Sequence, residues 1–517
     1  MRKALRALIA GVAAVSLALP FYAPAEEQNA QNKDQDVQKK DQDVQKKDQD
    51  VQKKVDELAK QVEALKKQVK RTEDKSLGRW LSIGGDYRFR LDSLKGGVPD
   101  YYQFMGPATA PVLTPHYYPQ QDTLMTNRFG LNIKAKATED VTFTARLLMY
   151  KTFGMQTAQA TNAGFFADRT FVLDGNIGHI PLDNTLCVDQ VYATWNNIAG
   201  QPIWFSVGRR PSTGGSPTHV RQNGERPGVG GVPGLLVDYA FDGMTLGVAP
   251  EISALPGMFA KLCYGRGFDS GYNISPAFGN RNNLTNTDMV GVNVVWIDTD
   301  PFRFDTQWNR GFNIFDNPNN VGNQLGNMDW YGADILSTIK DFGPGNLTWF
   351  ASGGVSITHP NGNHALLAGP GSPDSGAGLL VNGTDTSSHT GWAAYAGLRY
   401  DLPFGTKIGG EYNHGSQYWT PFSPAADDMW TSKLGTRGDV YEAYLIQELP
   451  LAPIASFVSK TFFRVGYQYY DFTYTGSNNW IGAPVKMTDL TASPMNAQMF
   501  APVRWAHDIY ATFEVRL

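Results

Sequence analysis

The sequence predicts an all-β transmembrane barrel of sixteen antiparallel strands, with eighteen as the alternative count, preceded by an α-helical coiled coil. Three observations carry this reading. Residues 33–53 spell KDQDVQK three times and continue as looser heptads to residue 74. From Trp80 the heptad spacing gives way to strict alternation of apolar and polar residues. Long Gly/Pro/Asn-rich segments then alternate with short turns, the phase of a barrel with brief periplasmic turns and extended outer loops.

Segment 1–25 has the form of a secretory signal. Arg2, Lys3 and Arg6 precede the apolar stretch Ala7 to Leu19, and Ala23-Pro24-Ala25 fits the small-x-small cleavage rule. The stretch is short for a membrane span, and no cysteine follows it to take a lipid anchor. Loss of those three cations would take the formal net charge from −4 to −7. A mildly acidic chain carries no footprint for nucleic acid.

Segment 26–78 reads as a periplasmic stalk with its firm seam at 54–74. Val55, Val62 and Val69 fall at position a and Leu58 and Leu65 at d, a stripe that a lone solvated helix has no use for. Carried backwards, the frame puts Asp34, Asp41 and Asp48 at a, where they repel across the axis, so that half is expected to fray. Fully helical, the stretch would reach about 60 Å at ~1.5 Å per residue. Valine at a with leucine at d suits two or three chains, and analogy with trimeric channels favours a homotrimer.

The barrel takes 79–517. In 83–91, Ile83, Tyr87, Phe89 and Leu91 share one face and Asp86, Arg88 and Arg90 the other; 128–137 and 141–149 alternate likewise. No run of eighteen apolar residues follows residue 26, which excludes a helical membrane protein but not a barrel. The last segment alternates Ile509, Ala511, Phe513, Val515 and Leu517 against Asp508, Thr512, Glu514 and Arg516, similar to the closing strand of outer-membrane barrels. A soluble sandwich would alternate too, but has no reason to keep long and short connections in phase. Strands are expected near 82, 128, 141, 187, 203, 235, 244, 289, 302, 329, 347, 392, 407, 439, 461 and 505, with short connections at 138–140, 197–202, 298–301, 341–345, 402–405 and Asp242-Gly243. Stretch 257–265 breaks the phase, either as an arm within an outer loop or as one of two extra strands.

If the apolar faces meet lipid, the opposite faces line a lumen. Asp86, Arg88, Arg90, Arg128, Lys134, Lys136 and Arg146 then form a basic wall. The Gly/Pro-rich segment 208–234 adds Arg209, Arg210, His219, Arg221 and Arg226, and a fold inwards would make it a constriction favouring anions; a solvated outer loop is the alternative. No HExxH, GxSxG or P-loop is present, so no enzyme is expected. Cys187 and Cys263 read as two small buried residues, with a disulfide as the alternative that an oxidising compartment permits, and without Cys-x-x-Cys-His this chain cannot attach a c-type haem. No cofactor or metal is expected.

Stretches 127–154, 191–218, 235–249 and 262–272 resemble bacterial porin-like proteins catalogued as a domain of unknown function. The resemblance implies an outer-membrane channel with lipid as its surroundings; some related porin-like barrels sheathe multihaem cytochromes. The combined expectation is passive diffusion of small hydrophilic solutes with mild anion preference. The alternatives are a barrel sheath for a periplasmic cytochrome, or a plugged barrel that tethers the envelope, with peptidoglycan as a further partner of the stalk.

Overall fold

The computed structural model describes residues 80–155, 183–212, 214–227, 233–271, 284–316, 321–422, 428–450 and 460–517, together with positions 62 and 181. The signal segment and the coiled-coil seam lie outside these residues, apart from Val62, which is helical and exposed. In chain order the strands are β1 (Leu81–Gly97), β2 (Tyr101–Gln103), β3 (Val112–Thr114), β4 (Gln120–Lys136), β5 (Val141–Thr152), β6 (Cys187–Trp195), β7 (Ile203–Ser212), β8 (Tyr239–Val248) and β9 (Phe259–Phe268). They continue as β10 (Thr287–Thr299), β11 (Phe302–Phe315), β12 (Gln324–Phe342), β13 (Gly345–Pro360), β14 (Thr390–Asp401), β15 (Thr406–Gly415), β16 (Gly438–Glu448), β17 (Lys460–Phe472) and β18 (Trp505–Arg516).

Sixteen of these form one closed antiparallel barrel; β2 and β3 make a small hairpin in the first long loop. The barrel closes where β1 pairs β18, from Asp86 opposite Arg516 to Gly97 opposite Trp505. Closure leaves no unpaired strand edge, which a chain in hydrocarbon requires.

Side-chain burial is inside out relative to a soluble protein. On β17, Phe463, Val465 and Tyr467 are exposed while Arg464 and Gln468 are buried. Ile83, Phe143, Leu246, Leu262, Leu398, Ile408 and Leu445 are likewise exposed on other strands. An arginine facing lipid costs about 2–4 kcal/mol at the bilayer midplane, so the register that turns Arg464 inwards is strongly preferred over a one-residue slip. The outer wall is therefore an apolar band suited to lipid.

The strand count stands at sixteen, but two expected elements change. Asp242-Gly243 is no turn: β8 runs straight through it, and the 257–265 stretch is the full barrel strand β9. Gly243 lies between Gly208 and Gly265 on the neighbouring strands. A Cβ on it would stand 2.0 Å from the Tyr264 carbonyl oxygen. The glycine answers a close approach of strands, not the positive φ of a hairpin turn. The ten-residue strand at 259–268 takes the place of the strand expected near 235, so the sum is unchanged.

Eight connections leave one end of the barrel, and all but the short fifth are longer than any at the other end. They are loop 1 (98–119), loop 2 (153–186), loop 3 (213–238), loop 4 (269–286), loop 5 (316–323), loop 6 (361–389), loop 7 (416–437) and loop 8 (473–504). Several pack together inside the wall. Leu236 of loop 3, Leu379 and Leu380 of loop 6, Trp419 and Phe422 of loop 7 and Trp480 of loop 8 form one buried apolar core against Trp330 of β12. A second core joins Val98 and Tyr101 of loop 1 to Trp430 of loop 7 and Leu490 of loop 8.

Candidate functional site: the barrel interior

Loop 3 crosses the interior. It leaves β7 and forms the short helix α1 (Thr218–Arg221). The far wall then holds its backbone: Arg399 of β14 donates to the Val220 carbonyl (2.6 Å) and Arg464 of β17 to the Arg221 carbonyl (3.0 Å). Arg516 of β18 donates to the carbonyls of Gln222 and Asn223. The loop also reaches the short-turn end. There Asn223 donates to Glu448 (2.9 Å), Arg303 donates to the Pro227 carbonyl (2.9 Å), and Arg226 pairs with Asp298 (2.9 Å). Wall arginines thus spend much of their donor capacity on loop carbonyls.

A buried charge cluster fixes the helix. Arg221 pairs with Asp428 of loop 7 (2.6 Å) and Glu442 of β16 (3.2 Å). Lys433 of loop 7 pairs with the same Glu442 (2.6 Å) and with Glu411 of β15. Tyr510, Gln468 and Tyr395 supply further hydrogen bonds to these carboxylates. Every carboxylate here is reached by a cation, the condition under which buried charges are tolerated.

The expected loop-3 residues do not act together. Arg221 and Arg226 anchor the loop as above, and His219 is half-buried beside them. Arg210 lies on the inner wall, donating to Ser206 (2.7 Å) and Thr245. Arg209 must be corrected. As the neighbour of inward Arg210 on a strand, it faces outwards, 3.7 Å from Asp242, an acid that is itself 70% exposed on the outer face.

The first wall is also not uniformly basic. Arg90 is buried and paired with Asp92 (2.6 Å) and Asp508 (2.9 Å). Arg88 is buried with its guanidinium 5.4 Å from the Tyr150 ring centre. Asp86 serves Arg146 (2.6 Å) and Arg128 (3.8 Å), and Arg146 also pairs with Asp189 of β6 (3.3 Å). Gly130 makes room for this group: a Cβ there would stand 2.4 Å from an Arg146 nitrogen. Lys134 and Lys136 are exposed near the 137–140 turn.

Burial divides the interior into two sectors. Inward-facing Asn293, Asp305, Asp334, Ser352, Asn413, Glu442, Gln468 and Thr512, from β10 to β18, are all buried. Inward-facing Arg128, Asn132, Thr142, Thr144, Arg146, Gln190, Tyr192 and Thr194, on β4 to β6, remain half-exposed or exposed, although Leu124, Thr126, Leu148 and Tyr150 on β4 and β5 are buried towards the loop end. The wetter sector thus lies off-centre, against β4, β5 and β6. Sequence reasoning missed this sector boundary and missed Asp428, Lys433, Glu442 and Glu411; only the pairing of loops across the barrel brings them together. Among the described residues no group of three His, Cys, Asp or Glu is placed to hold a metal ion.

Solved outer-membrane structures overlay loosely on the chain. OprB of Pseudomonas putida gives a TM-score of 0.42 at 10% identity, covering 86% of this chain and 96% of that one. OmpF of Salmonella typhi in complex with daunomycin gives 0.40 at 10% identity, covering 84% and 97%. The trimer form of Vibrio cholerae OmpT gives 0.37 at 10%, covering 85% and 100%. Overlays of this quality carry no weight by themselves, and the barrel rests on its own strand pairing. No protein of curated function matches the chain. The family model described as a protein of unknown function (DUF3373) matches residues 118–517, and the chain belongs to that family.

Proposed function

We propose that this barrel is an outer-membrane channel passing small hydrophilic solutes along the β4–β6 sector, with a mild preference for anions. The observation that carries the reading is the contrast in burial between the two sectors of the interior wall. The half-exposed lining offers Arg128, Arg146, Lys134 and Lys136 against Asp86 and Asp189. Fixed positive charge in a narrow passage with low-dielectric walls favours anions. The stalk at 26–78, proposed as a trimeric coiled coil, would hold three such barrels together in the periplasm.

Planar bilayers test this under a salt gradient. Folded protein should give discrete steps with an anion-selective reversal potential, and Arg146→Glu should move that potential towards cations. No steps, or an unmoved potential in the variant, would remove the passage from this wall.

A second reading has one observation in its favour: the apolar cores contributed by loops 1, 3, 6, 7 and 8 fill much of the bore. A barrel closed by its own loops would serve as an envelope tether and show no conductance. The same filling argues against a cytochrome sheath, because the interior is occupied by the chain itself.

A further inference from the structure

Beyond conduction, the outer loops enclose a cavity of about 490 Å³ between loops 1, 6, 7 and 8. That volume lies within the range of small-molecule sites, and barrel mouths are common places for them. Its lining mixes apolar and aromatic side chains, among them Trp430, Phe472, Tyr474 and Met487, with neutral polar ones such as Asn382 and Asn479. Among the described residues that line it, Arg437 is the only one bearing a formal charge; neither aspartate nor glutamate is present.

Arg437 is almost wholly buried, at 1% exposure. Its guanidinium donates to the carbonyls of Trp419 (3.0 Å), Thr475 (3.0 Å) and Asn479 (2.6 Å), and to the Thr420 hydroxyl (2.7 Å). These acceptors are neutral. They tie loop 7 to loop 8, which accounts for the shape of the guanidinium but not for its charge. A buried cation without an anion is costly, and an apolar side chain with backbone-to-backbone bonds would avoid that cost. Burial pulls Arg437 down from its ordinary value to about 9. The guanidinium reaches the cavity beneath Gly476, where a Cβ would stand 2.9 Å from its Nη1 and the backbone holds φ at +70°. Absence of a side chain at this position leaves the positive edge covered by glycine backbone alone.

We propose that this external cavity binds a small organic monoanion with an apolar or aromatic body, its carboxylate seated over Gly476 towards Arg437 and its body against Trp430, Phe472 and Tyr474. The inference stands apart from the channel reading, since the cavity lies among the outer loops and not along the β4–β6 wall.

Full-length protein in a nonionic detergent can be titrated calorimetrically with 3-phenylpropionate and with its uncharged amide. Saturable binding of the carboxylate is expected, at least about tenfold tighter than the amide, which equals ~1.4 kcal/mol. Arg437→Gln should erase the preference for the carboxylate. Because that change also loosens the loops, Ala483→Trp is the second arm: Ala483 lines the cavity, and the indole should fill it and abolish binding while the barrel stays folded on a heat-modifiability gel. No saturable binding of 3-phenylpropionate, equal binding of acid and amide, or unchanged binding in Ala483→Trp would overturn the proposal.

Discussion

Arg221 shows how single residues decide whether the interior is filled. It is 5% exposed, and its partners Asp428 and Glu442 are as deeply buried, so removing it strands carboxylates with one cation fewer. Breaking a buried pair by deleting one partner typically costs about 3–5 kcal/mol. Arg221→Met should therefore lower the temperature at which the barrel unfolds on a heat-modifiability gel. It should also raise conductance, because α1 loses its hold on loop 7. A variant with unchanged melting and conductance would mean the cluster does not latch the loop. At this scale the sequence was partly legible. Arg210 and Arg209 are adjacent, both basic and both in a Gly/Pro-rich context, yet strand alternation sends one inwards and the other to the outer face beside Asp242. Alternation was legible in the chain; that β7 extends to Ser212 and so governs both residues was not.

Strands and loops were legible to different degrees, for physical reasons. Alternation is clean over 83–91, 128–136 and 141–146, where lipid lies on one side and polar groups on the other, and it breaks towards the loop end, where Leu94, Leu124, Leu148 and Tyr150 are buried inwards. Asp-Gly at 242–243 carries the same letters as a hairpin turn, and only the neighbouring strands reveal that Gly243 is there for space. Gly243→Val should accordingly hinder assembly: the side chain would collide with Tyr264 backbone, and folded yield in outer-membrane fractions should fall several-fold. Normal yield would show that β7, β8 and β9 can separate at little cost. The loops were the least legible elements. Their glycine, proline and asparagine content reads as solvated, while the few apolar residues among them (Leu379, Leu380, Trp419, Trp480) converge from three loops into one core. Convergence of that kind depends on contacts far apart in the chain, and no local period announces it.

For the whole molecule, closure and the greasy outer band follow from the two-residue period, whereas the state of the bore depends on where eight loops go. The proposed stalk belongs at this scale as well. Deleting 26–78 behind the expected signal segment should leave a folded barrel that runs as a monomer on native gels, whereas the full-length protein should run at three times the mass of its own chain. Equal mobility per chain in both forms would remove the stalk from assembly. The proposed off-centre passage is tested most directly by cysteine accessibility in bilayers, with Cys187 and Cys263 replaced by serine. Thr144→Cys sits on the half-exposed sector and Ser352→Cys on the buried one. A membrane-impermeant, negatively charged thiosulfonate should cut single-channel conductance at Thr144→Cys and leave it unchanged at Ser352→Cys; block at Ser352→Cys with none at Thr144→Cys would contradict the account.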